Sequence, residues 1–274
     1  MSTAETAEFS PTWLALREPA DAAARAPELV QALGPHLATV TRPVIRDLGC
    51  GTGSMGRWLA ARLPGPQHWV LYDRDSTLLD HARTHMASAA ADGAPVTVET
   101  RRCDVTALTA AELSGAHLIT ASALLDLLTR DELDRLVAAC VEAGCPALLT
   151  LSVVGRVELT PADPLDAEIM AAFNAHQRRD AGGRRLLGPD AVAAAAETFT
   201  RLGTSVTVRP SPWRLGPDRS ELTAEWLRGW VGAACEQRPE LAEAAADYLS
   251  RRLAAAAAGE LSAVVWHEDL LAMR

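Results

Sequence analysis

Two periods of apolar residues take turns along this chain. Short apolar runs at Pro43 to Leu48, His68 to Tyr72, Val96 to Arg101, His117 to Ala121 and Pro146 to Val154 have the length of strands. Between them apolar residues recur at helical spacing, as in Leu133, Leu136, Val137, Cys140 and Val141. Thr109 with Glu112 and Thr129 with Glu132 have capping-box spacing, so helical turns are expected after both. Ser10-Pro11 predicts an N-cap followed by a helix through Trp13, Leu14 and Leu16, which Pro19 should end or bend. A second helix is expected over about Ala20 to Leu33, stopping near Gly34-Pro35. Thr160-Pro161 reads as the start of a helix through Ile169 and Phe173, broken by Gly182-Gly183, and Pro189 starts the next. Ser205 to Arg209 and Ala263 to Trp266 complete a set of seven strands. Between these last two, Ser220 to Gly259 predicts two helices, with Leu222, Trp226 and Trp230 on one face and Leu241, Tyr248, Leu249 and Leu253 on another.

Strands that alternate with helices imply an α/β fold with a mostly parallel sheet covered on both faces. Right-handed crossovers bring the carboxyl ends of the parallel strands to one edge, where ligands bind at the reversal of strand order. Four stretches fall there: Gly49 to Gly53, Asp73, Asp104 and the segment after Ala121. The first, in Asp47-Leu48-Gly49-Cys50-Gly51-Thr52-Gly53, puts glycine at every second position after a buried strand and before a helix. Such a turn permits left-handed backbone, and its amides lie at the positive end of the following helix.

Composition narrows the choice of ligand. The net charge of −9 disfavours non-specific binding to nucleic acid or an anionic membrane. Arg178, Arg179, Arg184 and Arg185 form one local basic stretch, read as a solvated loop or a holder of an anionic group. Five cysteines without a Cys-x-x-Cys pair suit a reduced, cytoplasmic protein and give no metal site. The polar, acidic start Met1 to Glu8 does not look like a signal peptide, and no window approaches a membrane span.

The Asp-x-Gly-x-Gly-x-Gly turn, with acids at Asp73 and Asp104, resembles the class I S-adenosylmethionine-dependent methyltransferases, well over Thr41 to Gly155 and in outline beyond. The resemblance is to small-molecule members of the kind found in actinobacterial secondary metabolism, such as antibiotic biosynthesis. It implies a Rossmann-like seven-stranded sheet with an antiparallel last strand. It also implies a helical N-terminal cap at 1–40 and a cofactor-binding domain at 41–274, whose insertion 220–259 would be a lid. By that likeness Asp47, Gly49, Gly51 and Gly53 wrap the methionine part of the cofactor, and Cys50 lies beside it by position. Asp73, with Arg74 beside it, takes the ribose hydroxyls, and Asp104 with the Val105 amide takes the adenine. Ser122, Ala123 and Asp126 line the transfer site. Arg17, or Arg25, is expected to meet the cofactor carboxylate. Where family members use aromatic or histidine residues after the fourth strand, this chain has Ala123-Leu124-Leu125-Asp126-Leu127.

Methyl transfer from a sulfonium needs positioning above all, and a general base only if the acceptor must lose a proton. Asp126 is the first candidate base and His176 the second. The expected acceptor is a small, flat aromatic or heteroaromatic molecule, such as a pterin or deazapurine, methylated on oxygen. Trp13, Trp213, Trp226 and Trp230 could stack on it, although helical spacing alone explains the last two as core. A homodimer stays open. The rival readings are an NAD(P)-dependent oxidoreductase using Gly51, Gly53 and Gly56, a relative that binds the sulfonium without transferring methyl, and a binding protein with no activity.

Overall fold

A computed structural model describes residues 10–180 and 182–273. In chain order the elements are α1 (Pro11–Ala24), α2 (Pro27–Leu37), β1 (Val44–Leu48), α3 (Ser54–Ala60), β2 (Gln67–Asp73), α4 (Ser76–His85), β3 (Val96–Arg102), α5 (Ala110–Leu113), β4 (Leu118–Ser122), α6 (Arg130–Ala143), β5 (Ala147–Thr160), α7 (Asp166–Gln177), α8 (Ala191–Arg201), β6 (Ser205–Pro210), β7 (Trp213–Leu215), α9 (Ser220–Gln237), α10 (Ala242–Ala257) and β8 (Ser262–Met273).

The sheet runs β3-β2-β1-β4-β5-β8-β6, with the short β7 paired to β8. Strands β1 to β5 are mutually parallel, and β8 is antiparallel to β5, β6 and β7. The order reverses between β1 and β4, which opens the crevice at their carboxyl ends. The expectation of a mostly parallel sheet with an antiparallel last strand holds, but among the described residues the sheet has eight strands. The added strand, β7, is too short to carry a period of its own in the sequence.

Alternation sorts the central strands onto two faces. Ile45, Trp69, Leu71 and Leu118 face α2, α3 and α4, and pack with Leu29, Leu33, Trp58 and Leu59. Leu48, Val70, Tyr72 and Ile119 face the other way, against Leu133, Leu136 and Val137 of α6 and Phe199 of α8. A third cluster gathers Ile169, Trp213, Leu222, Trp226, Trp230 and Tyr248 around the extended ends of β5 and β8. Asp166 ties its helices together, accepting from Tyr248 Oη and Arg252 Nη2, both at 2.6 Å.

Some boundaries move for local reasons. Helix α1 runs through Pro19 to Ala24, and the break falls at Arg25-Ala26, because Pro27 forces the residue before it out of the helical region. Pro27 then opens α2, which continues past Gly34-Pro35. Thr160 ends β5 instead of capping a helix, since pairing to β8 continues as far as Ser262. Both capping boxes form as read, at Thr109 and Thr129.

Candidate active site

The glycine turn follows β1. Gly49, Gly51 and Gly53 have φ of 66°, 54° and 86°, all left-handed, so each depends on having no Cβ. A Cβ on Gly49 would stand 3.1 Å from Leu124, and one on Gly51 3.4 Å from Leu14 of α1. The turn is thus covered by the segment after β4 on one side and by α1 on the other. Gly56, the third glycine of the dinucleotide spacing, packs against Met86 and Trp69. That packing role fits either motif, so it does not separate them.

Asp73 ends β2 and accepts the Gly51 amide at 2.9 Å and the Asp75 amide at 3.0 Å. A carboxylate has about four acceptor positions, so about two remain open. Asp104 is exposed and accepts from the Thr106 amide and hydroxyl through Oδ1, which leaves Oδ2 open beside buried Val105. Arg74 is exposed at the rim, and its carbonyl accepts from Arg102. The Cys50 amide donates to Tyr72, and burial pushes its thiol up, away from the reactive thiolate.

Asp47 is fully buried. Thr120 Oγ1 donates to its Oδ1 at 2.7 Å, while Oδ2 has no partner. Burial pushes the carboxyl up to about 7, against the pull of Thr120 and Arg25. The Arg25 guanidinium, also buried, donates from Nη2 to Ser122 Oγ at 3.1 Å and lies 5.3 Å from the Trp58 ring centroid. Its Nε and Nη1 have no partner. Arg17 stands elsewhere. Its Nε and Nη2 donate to Asp21 at 3.0 and 3.2 Å, and it stacks 4.9 Å from the Trp213 centroid. Of the two arginines expected near a ligand carboxylate, Arg25 therefore reaches Ser122 at the end of β4, whereas Arg17 is committed to Asp21.

Arg17 instead lines a cavity of about 310 Å³. Asp126 and His176, both half-buried, lie on its wall, as do Trp13, Trp213, Trp226, Trp230 and Trp266. Trp226 and Trp230 stack on each other at 5.1 Å, so they serve the core and the wall together. Burial raises the Asp126 carboxyl, and the charge of Arg17 opposes the shift. Thr129 caps α6 with its own hydroxyl, so Asp126 has no capping duty there. Burial and nearby Arg179 lower His176. Cavity and crevice share a border at the end of β4, where Ser122 meets Arg25, Ala123 lines the cavity and Leu124 covers Gly49. Ala123 has φ 51° and Leu151, also on the wall, 56°. Left-handed backbone without glycine carries strain, and it gathers here.

Several wall residues carried no mark in the sequence. Asn174 Oδ1, Trp266 Nε1 and His267 Nδ1 are buried without partners on this wall. The alternation of β8 was the available signal for the last two, but the strand continues far past its expected end at Trp266. The basic stretch is largely committed within the chain. Arg178 pairs with Asp190 and Arg184 with Glu132, while Arg179 reaches the cavity. Among the described residues no group of three or more His, Cys, Asp or Glu could hold a metal, and no helix is long and apolar enough to cross a membrane.

Residues 45–146 match a family model described as a methyltransferase domain. No curated protein matches the sequence. Among solved structures, the chain is similar to the cyclopropane synthase MmaA2 of Mycobacterium tuberculosis, at 14% identity and TM-score 0.49, covering 96% of this chain and 94% of that one. It is also similar to an S-adenosylmethionine-dependent methyltransferase of Geobacter sulfurreducens in complex with S-adenosyl-L-homocysteine, at 15% identity and TM-score 0.46, covering 96% and 98%. A methyltransferase of Thiobacillus denitrificans, with the same ligand, gives 16% and 0.46, covering 97% and 100%.

Proposed function

We propose that this enzyme, an S-adenosylmethionine-dependent methyltransferase by the domain at residues 45–146, methylates an oxygen of a small planar aromatic or heteroaromatic acceptor held in the tryptophan-walled cavity. The observation that carries the reading is the pairing of that aromatic cavity with the glycine-turn crevice across the end of β4.

The residues of the crevice fit the cofactor. The orphaned Nε and Nη1 of Arg25 suit a carboxylate, which would relieve a buried cation of two unmet hydrogen bonds. The open positions on Asp73 suit two ribose hydroxyls, and the free Oδ2 of Asp104 suits an adenine amino group. Gly49, Gly51 and Gly53 give close backbone approach. Asp47, buried in β1 and accepting from Thr120, precedes the turn, and Cys50, Arg74, Val105 and Ser122 complete the proposed set. The bound cofactor supplies an activated methyl group on a sulfonium. This chain's part is to aim the acceptor, exclude water and take a proton. Asp126 is the proposed base, with His176 as the second candidate. Of the expected cap at 1–40, residues 1–9 lie outside the described residues; residues 10–40 as a cap and 220–259 as a lid belong to the same proposal, and so does a pterin- or deazapurine-like acceptor from secondary metabolism.

The test is turnover, read as S-adenosylhomocysteine formed, with a panel of hydroxylated heteroaromatics beside aliphatic amines and olefins. Turnover with the planar hydroxyl compounds is expected; turnover confined to amines or olefins refutes the reading. In Asp126→Ala, cofactor binding should persist while turnover falls on the order of 10²–10⁴-fold, the usual loss for a general base. Loss of cofactor binding in that variant would contradict the division of roles.

A further inference from the structure

We infer that Arg17 holds the acceptor's reacting oxygen, so that the acceptor reacts as an oxyanion of a hydroxyl or lactam; this rests on the cavity being the acceptor site. Asp21 clamps the guanidinium through Nε and Nη2, and the Trp213 indole, itself donating to Asp21 at 2.9 Å, supports its face. Two side chains thus fix one guanidinium, while Nη1 has no protein partner among the described residues and Arg17 lines the cavity. A planar donor held by an acid, with an edge left open toward a cavity, is suited to an oxygen bearing negative charge.

The surroundings agree. Asp126 faces the same cavity, its carboxyl is met by its own backbone amide, and Arg17 is close enough to perturb it. His267 of β8, on the wall, is driven down to about 4, first by burial and then by the charge of Arg17, so it is neutral at pH 7. On β5, Arg156 is exposed and paired with Glu158. At the end of α7, His176 faces Glu236 of α9, and Arg179 donates to the His176 carbonyl. With Arg17 paired to Asp21 and Arg156 to Glu158, the pull on an anionic acceptor comes from the open Nη1 edge of Arg17 and from Arg179, which line the cavity with one carboxyl, Asp126. In the step, the acceptor hydroxyl gives its proton to the Asp126 carboxylate, and the charge left on oxygen lies beside Arg17 Nη1. That oxygen's electron pair forms the bond to the methyl carbon, and the C–S bond electrons leave with the sulfur. The proton on Asp126 then passes to solvent.

The experiment uses 7-hydroxycoumarin, whose neutral and anionic forms absorb at different wavelengths, titrated with pH on the full chain saturated with S-adenosylhomocysteine. Tryptophan quenching reports binding. In wild type the bound probe should ionise at least about 1 pH unit below the free probe, within the range an arginine imposes on an acid. That means the anion binds about tenfold tighter than the neutral form. Arg17→Gln should erase the preference and still bind the neutral form at low pH, which shows the cavity intact. Equal binding of both forms by wild type overturns the inference whether or not the variant folds, and so does an unchanged preference in Arg17→Gln. Failure of wild type to bind either form overturns the acceptor-cavity reading itself, and this inference with it.

Discussion

Asp47 is the residue where position and chemistry are most at odds. It is a carboxyl with no exposure, one hydroxyl donor and an ordinary value of 3.8 moved to about 7 by burial. The unfolded chain sheds this proton near 3.8, whereas the folded chain keeps it until about 7. Between those values the folded state holds more protons, so its stability falls as pH rises through the window. Below the window both states are protonated, and above it the full penalty is present. Asp47→Asn keeps the Oδ1 that accepts from Thr120 and removes the ionisation. Denaturant melts from pH 4 to pH 7 should therefore slope downward less in the variant than in wild type; parallel slopes would contradict the argument. Gly49 makes the complementary case, since Gly49→Ala meets Leu124 at 3.1 Å and a left-handed φ. It should weaken S-adenosylhomocysteine binding in a titration.

Among elements, Asp269 of β8 joins pieces far apart in the chain. Its Oδ2 accepts the Ala26 amide at the α1–α2 break and its Oδ1 the Leu151 amide at the bulge of β5, each at 2.8 Å. One carboxylate thus fixes the α1–α2 break beside Arg25 and a wall residue of the cavity. Asp269→Ala leaves two buried amides unpaired, at about 1–3 kcal/mol each, which a shift of the urea midpoint should register. The elements legible in the sequence were those whose signals are local. The Gly49–Gly53 turn, the capping boxes at Thr109 and Thr129 and the helices at 220–259 all follow from spacing within a few residues. What was not legible depends on pairing between distant strands. The reach of β5 to Thr160, the length of β8 and the short β7 come from the β5–β8 ladder, whose bulges no local period announces. The placement of Arg17 and Arg25 was hidden for a related reason. Both arginines look alike in sequence, but Arg17 lies within α1 whereas Arg25 sits at the Arg25-Ala26 break and reaches Ser122.

At the scale of the whole molecule, α1 separates two compartments. Leu14 covers the glycine turn, Trp13 and Arg17 wall the cavity, and Glu18 binds Arg57 of α3 at 2.7 Å. A ligand in the crevice that engages Arg25 and the turn adds contacts to the folded state alone. At a hundred times its Kd it stabilises the fold by about 2.7 kcal/mol, so the melting temperature should rise with S-adenosylhomocysteine concentration. The central claim is that the adenosyl ligand docks at the carboxyl ends of β1, β2 and β4 with Asp73 on its ribose. Calorimetric titration of S-adenosylhomocysteine into wild type and Asp73→Ala, with circular dichroism showing the variant folded, tests it most directly. One site per chain in wild type, lost in the variant, is the expected result. No heat in wild type, or an unchanged isotherm in Asp73→Ala, would contradict it.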